Sequence, residues 1–151
     1  MKRLSLLAVW ACVAGGTAAC GLSDDPREEE KRHEYLVFAD PAFAAWLLRE
    51  ADADGDGRIS RYEAERMRRI ECAGGGIGSL GEIGGFTNLR TLVCPGNRLE
   101  ELDLRGCRYL EHVDCSGNRL RTLDVEGLRN LVTLECGDND LERLDLSANV
   151  S

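Results

Sequence analysis

Three stretches decide the fold: LRTLVCPGNRLEELDL (residues 89–104), LEHVDCSGNRLRTLDV (110–125) and LVTLECGDNDLERLDL (131–146). They align without gaps at a spacing of 21 residues. Leu89, Leu110 and Leu131 recur, as do Cys94, Cys115 and Cys136, then Asn97, Asn118 and Asn139, then Leu99, Leu120 and Leu141. A fixed internal period outweighs local propensity as a guide to architecture. The pattern L-x-C puts two side chains on one face of a short strand, because strands alternate with period 2. Stacked units would pair these strands in a parallel sheet. The Asn three residues after each Cys can bond backbone where the chain turns inward. The closing L-x-x-L-D-L is expected to form a second short strand on the opposite side of the coil.

The pattern extends upstream. Ile70, Cys72, Ile77 and Leu80 precede Leu92, Cys94, Leu99 and Leu102 by 22 residues each, with Gly74-Gly75-Gly76 in place of the Asn turn. The repeats resemble bacterial leucine-rich repeats of the 21-residue class, and Ile77 to Leu89 resembles internalin-type units. The resemblance implies a solenoid of about four units over residues 70–151.

Cysteine spacing follows the repeat. Cys72, Cys94, Cys115 and Cys136 are expected as small core residues. No C-x₂₋₄-C pair suggests zinc, and a disulfide between neighbouring parallel strands is geometrically awkward. Cys107 lies outside that column and is expected at a turn, half exposed.

Before the repeats, Asp52-Ala-Asp54-Gly-Asp56-Gly57-Arg58-Ile59-Ser60-Arg-Tyr-Glu63 matches the twelve-position EF-hand calcium loop. Calcium is a hard cation that takes oxygen ligands. Asp52, Asp54 and Asp56 offer carboxylates, Arg58 its backbone carbonyl, Ser60 a direct or water-mediated oxygen, and Glu63 a bidentate carboxylate. Gly57 permits the sharp turn, and Ile59 should point inward. Asp40 suits a helix N-cap and Pro41 the first helical position, with Phe43, Trp46 and Leu47 on one face. Glu63 to Arg69 can continue as an exiting helix. The expected fold class is therefore α+β: a short helical cap of EF-hand type over residues 37–69, then the leucine-rich solenoid. A single loop argues for a structural calcium ion, and a calcium sensor or buffer is the alternative.

Residues 1–19 read as an export signal, with Lys2 and Arg3 ahead of an apolar run too short to span a bilayer comfortably. Thr17-Ala18-Ala19-Cys20 resembles a lipobox, which implies lipidation of Cys20 and anchoring to a bacterial outer membrane or cell surface. A plain signal cut after Ala18 or Ala19 is the alternative. Residues 20–36 are expected as a flexible tether, and Asp24 and Asp25 resemble a surface-export signal. Phe38-x-Asp40-Pro41-x-Phe43, the calcium loop and Ile70-x-Cys72 together resemble the cap region of exported Bacteroidetes leucine-rich-repeat lipoproteins.

A net charge of −8 makes nucleic acid a poor partner. His33 and His112 have no nucleophile at a recognisable spacing, no phosphate-binding loop follows Gly74–Gly78, and no enzyme signature emerges. The function expected is binding of a protein or glycan through the exposed strand positions Thr91, Val93, His112, Asp114, Thr133 and Glu135. An alternative is a non-catalytic piece of a larger exported adhesin or enzyme, since the sequence stops in mid-pattern at Ser151.

Overall fold

The computed structural model describes residues 26–149. The signal segment, Cys20, Asp24 and Asp25 lie outside them.

The N-terminal part holds three short helices and a two-stranded ribbon. Helix α1 is Pro26–Arg32, strand β1 Tyr35–Leu36, helix α2 Pro41–Glu50, strand β2 Ile59–Ser60 and helix α3 Arg61–Arg66. β1 pairs antiparallel with β2, Leu36 against Ile59. Residues 26–36, expected as tether, are thus folded: they supply α1 and β1. The reason is long-range pairing that a linear reading of a charged stretch overlooks. Lys31 pairs with Glu65 and Glu34 with Arg61, both partners lying on α3.

Helix α2 begins where its cap begins. Asp40 Oδ1 accepts from the backbone N–H groups of Ala42 at 2.9 Å and Phe43 at 3.0 Å, with Pro41 at the position that needs no donor. Asp40 also acts on the solenoid. Its Oδ2 accepts from Gly78 N at 2.7 Å and Ser79 N at 3.3 Å. One carboxylate therefore closes a helix end and ties it to the first repeat.

The remaining strands form one parallel sheet in chain order: β3 Arg69–Glu71, β4 Thr91–Val93, β5 His112–Asp114 and β6 Thr133–Glu135. The register puts Ile70, Leu92, Val113 and Leu134 side by side, pointing inward. Behind them run further columns of apolar residues, buried from Ile70 to Leu128 and only partly buried in the last unit. At the other end, Phe38, Phe43, Trp46 and Leu47 pack against the same core.

The asparagine column links unit to unit. Asn97 Nδ2 donates to the carbonyls of Cys94 and Cys72, while Asn97 Oδ1 accepts from Ile77 N. Asn118 does the same for Cys115, Cys94 and Leu99, and Asn139 for Cys136, Cys115 and Leu120. Each side chain reaches back one coil. The first unit consequently needs no Asn of its own, and Gly75 stands at that position. Next to this column runs another with positive φ: Gly74 (62°), Gly96 (65°), Gly117 (61°) and Asp138 (53°). Only the last carries a side chain, and Asp is among the residues that tolerate this conformation.

The exiting helix expected to run to Arg69 ends at Arg66, because Arg69 joins β3, and two further features differ from the sequence reading. The second strand is reduced to a single bridge between Asp103 and Asp124. The cause is local: Asp103, Asp124 and Asp145 each accept a hydrogen bond from the backbone N–H two residues on, which turns the chain out of a ladder. Cys107 is fully buried, with its thiol 3.2 Å from the carbonyl of Ile83. It belongs to a column Phe86, Cys107, Leu128 with 21-residue spacing. Beside it Gly106 meets Gly84 so closely that a Cβ there would lie 2.3 Å from the Gly84 carbonyl oxygen.

Asp40 gives a pH prediction. Burial opposes its charge, but donors from Phe43, Gly78, Ala42 and Ser79 outweigh that and hold its pKa below the ordinary value of 3.8. Its contribution is therefore present above that value and lost as pH falls through the lowered one. Melting temperature should drop as the pH is lowered past 4. The Asp40→Ala variant should already be destabilised at pH 7, by about 1–2 kcal/mol for the lost cap, with a shallower acid dependence. A variant melting like the wild type at pH 7 would remove Asp40 from this role.

Candidate functional site

The exposed side of the sheet is built by the period of 2. In each strand the middle residue turns into the core and the outer two face away. The register then makes two rows: Arg69, Thr91, His112, Thr133, and Glu71, Val93, Asp114, Glu135. All six residues expected from the sequence lie together on this face. Arg69 and Glu71 extend it by one strand. The signal for them was present in Ile70, which occupies the position of Leu92 one unit earlier.

The two rows differ in chemistry. The first is basic to neutral, and the second carries three carboxylates. Arg69 pairs with Glu71 across its own strand. His112 Nδ1 lies 2.7 Å from Thr133 Oγ1. Asp114 accepts from Ser116 N at 3.0 Å and Ser116 Oγ at 2.6 Å, so it shapes the following turn as well as facing outward. Arg90 and Glu111, just before the strands, form an ion pair along the rim.

A second candidate lies in the loop between α2 and β2. Asp52 accepts from Gly55 N at 2.8 Å and Gly57 N at 3.0 Å. Asp54 accepts from Asp56 N at 3.1 Å, and Asp56 from Arg58 N at 2.8 Å. Positive φ at Gly55 (74°) and Gly57 (78°) lets the chain coil this tightly. Glu63 reaches in from α3. Its Oε1 accepts from Ala53 N at 2.7 Å, and its Oε2 from Ser60 N at 2.9 Å and Ser60 Oγ at 2.8 Å. Ser60 caps α3 in return, and both residues are buried.

Carboxylate oxygens of Asp52, Asp54 and Glu63 come within 4.8 Å of one another. Three like charges in so small a volume repel unless a proton or a cation is shared. All-oxygen donors suit a hard divalent cation. Asp56 is outside this group. Its carboxylate meets the Tyr35 hydroxyl, and that hydrogen bond, with burial adding to it, raises the Tyr35 pKa. The Arg58 guanidinium stacks 5.0 Å over the same ring. The loop is thereby fastened to β1.

Five cysteines fall in the described residues, all free thiols. Burial pushes Cys72 up to about 11 and Cys107 and Cys115 up to about 12, and raises Cys94 further. Cys72, Cys94, Cys115 and Cys136 occupy one inward column across adjacent coils.

Residues 109–131 match the Leucine Rich Repeat family. The fold is a leucine-rich-repeat solenoid. The functional domain of InlJ from Listeria monocytogenes, whose description includes a cysteine ladder, superposes with a TM-score of 0.70 at 30% identity, covering 74% of this chain and 25% of that one. The internalin InlF from Listeria monocytogenes follows at a TM-score of 0.60 and 22% identity, covering 72% of this chain and 33% of that one. The chain thus spans a quarter to a third of the length of these internalin-like structures. No curated protein matches it. Among the described residues no helix is long and apolar enough to cross a membrane.

The leucine-rich-repeat geometry predicts thiol reactivity. Only Cys136 is partly exposed among the five, so a thiol reagent at neutral pH should label it first. Cys72, Cys94, Cys107 and Cys115 should label only as the chain unfolds. Rapid modification of two or more of the five in the native state would contradict the closed column.

Proposed function

We propose that this chain is a surface-anchored binding module whose outer sheet face takes a protein partner and whose cap is held by one calcium ion. The observation that carries the binding role is the face itself. Eight side chains from four strands lie in two rows over a buried apolar layer, while the residues beneath them repeat. Solenoids present surfaces of this kind to partners. The rows set an arginine, hydroxyl and imidazole strip beside an acidic one, a mixed surface suited to protein more than to nucleic acid.

The calcium role rests on the cluster of Asp52, Asp54 and Glu63. Asp52, Asp54 and Glu63 would hold the ion, with Arg58 contributing its carbonyl and Ser60 orienting Glu63. Asp56 is the least committed ligand, because its carboxylate also serves Tyr35. The ion would neutralise the clustered charge and tie α2 to α3. Helix α3 then passes the constraint on, since Asn88 Nδ2 in the first repeat donates to Glu65 O at 2.8 Å. A structural ion of this kind need not bind tightly, and extracellular calcium modules work at about 10⁻⁴–10⁻³ M. A sensing role would call for tighter binding and a second loop. Cys20 supplies the anchor in this reading, through an acyl chain rather than a spanning helix.

Melting with calcium and with chelator tests the metal. Calcium at ten times its dissociation constant should add about 1.4 kcal/mol, which is a shift of several degrees for a chain of this size. Glu63→Gln should abolish the shift, and an unchanged melt in the wild type would detach calcium from the fold.

The face is tested by changing His112, Thr133 and Glu135, which are exposed, together to Ala. The melt should stay within a degree or two of wild type while binding of a partner isolated with the wild-type chain falls at least roughly tenfold. Undiminished binding would move the contact elsewhere.

A further inference from the structure

A second kind of surface lies ahead of the strands, away from the outer face of the sheet. The turns that lead into β5 and β6 belong to successive coils, and together they line a groove of about 740 Å³. Arg105, Arg108 and Tyr109 come from the first turn, and Asp124, Glu126, Arg129 and Asn130 from the second. Asn130 Nδ2 donates to the Arg108 carbonyl at 3.4 Å and ties the two turns together. Chain beyond the second turn is in place, because Asn149 Nδ2 donates to the carbonyls of Val125 and Leu128. The groove therefore lies within the stack. None of its residues belongs to the two rows on the sheet.

Tyr109 is the first sign of a ligand. The chain has three tyrosines. The Tyr35 ring is covered by the Arg58 guanidinium, and the Tyr62 ring by those of Arg32 and Arg66. Tyr109 is 54% exposed. Among the described residues no guanidinium lies over its ring, although three arginines share its groove. Stacking a cation on an aromatic face is favourable, so a bare ring in that company is an unused platform. The arginines are the second sign. Asp103 holds Arg105 through two side-chain hydrogen bonds on its own turn. Arg108 and Arg129 take the same position in successive coils, 21 residues apart. Neither has a carboxylate partner among the described residues. Parallel coils sit roughly 4.8 Å apart, so two guanidiniums in one column repel unless an anion lies between them.

We propose that this groove binds a carboxylate-bearing saccharide, with a sugar ring stacked on Tyr109 and its carboxylate held between Arg108 and Arg129. A guanidinium presents two parallel N–H donors that match a carboxylate. The Tyr ring offers a flat apolar face to the C–H side of a sugar, and its hydroxyl stays in water. Asp124 and Glu126 discriminate among anions. Asp124 Oδ1 accepts from Glu126 N at 2.9 Å, and both residues are exposed. Their carboxylates oppose a densely charged chain such as a sulfated or phosphodiester polymer. They accept hydrogen bonds from the hydroxyls of a sugar that carries one charge per ring. The volume lies in the range of small-ligand sites, roughly 300–1,000 Å³, which suits a short oligosaccharide and not a folded domain. This site is separate from the sheet face, so it can fill without displacing a partner there.

Calorimetric titration of the full chain tests the site, with a galacturonic acid tetrasaccharide and sialyllactose as acidic probes and galactotetraose and lactose as their neutral counterparts. Saturable binding of at least one acidic probe is expected, at least roughly tenfold tighter than its neutral counterpart. Tyr109, Arg108 and Arg129 are exposed, so their substitution should leave the melt intact. Tyr109→Ala should weaken binding at least roughly tenfold, and Tyr109→Phe should retain it. Arg108→Ala with Arg129→Ala should erase the preference for the acidic probe. The triple variant of His112, Thr133 and Glu135 should bind the saccharide as the wild type does. Failure of both acidic probes to bind overturns the proposal, as does binding indifferent to the Tyr109 and arginine substitutions. Tighter binding of a tetraglutamate peptide or of dextran sulfate than of either saccharide also overturns it, in favour of an acidic peptide or a general polyanion as the occupant.

Discussion

The asparagine reaching back one coil is the interaction on which the rest depends. A short strand and a turn cannot stand alone, and each unit buries its apolar column only against a neighbour. Stacking would be slippery if apolar contact were its sole basis. The Asn97, Asn118 and Asn139 amides fix it, because each satisfies a carbonyl in its own coil and both a carbonyl and an N–H in the coil before. A shift by one residue would leave those buried groups unpaired, and that costs more than the bonds themselves contribute. Strand register, the free-thiol column and the flat outer face all follow from this alignment.

The same logic explains why the chain needs something at each end. At the first end, Asp40 spends one oxygen on helix α2 and the other on Gly78 and Ser79, so the cap is fastened by the same kind of back-reaching polar contact. The acidic loop adds a second fastening through Glu63, α3 and Asn88. At the last end, Cys136 and the leucines around it present what a further coil would cover. An outer face held this rigidly is suited to recognition, because its side chains lose little backbone freedom on binding.

Much of this was legible in the residues. The 21-residue spacing by itself places Leu92, Val113 and Leu134 in one parallel sheet and Thr91, His112 and Thr133 on its outer side. Asp40 and Pro41 marked the start of α2. Other features were hidden for physical reasons. The first unit is irregular, so Arg69 and Glu71 did not register as part of the face. Cys107 looked isolated because the column it joins changes residue type, from Phe86 to Leu128, and a core position constrains volume and burial more than identity. The second strand failed because Asp103, Asp124 and Asp145 bend their own backbone, a local effect that outcompetes pairing. The fold of residues 26–36 depends on partners on α3 some thirty residues on, at Arg61 and Glu65, which no local pattern announces. The departure of Asp56 from the carboxylate cluster likewise depends on Tyr35, far away in sequence.

The central claim, that a back-reaching amide in each coil after the first holds the stack in register, is tested most directly by the denaturant unfolding of Asn118→Ala. The substitution removes the donors to Cys94 and Cys115 and the acceptor for Leu99 N–H, in the middle of the solenoid. A loss of about 2–4 kcal/mol in unfolding free energy is predicted, from several buried groups left unpaired. A change within about 0.5 kcal/mol, the range of an ordinary surface substitution, would contradict the account and assign the alignment to the apolar columns alone.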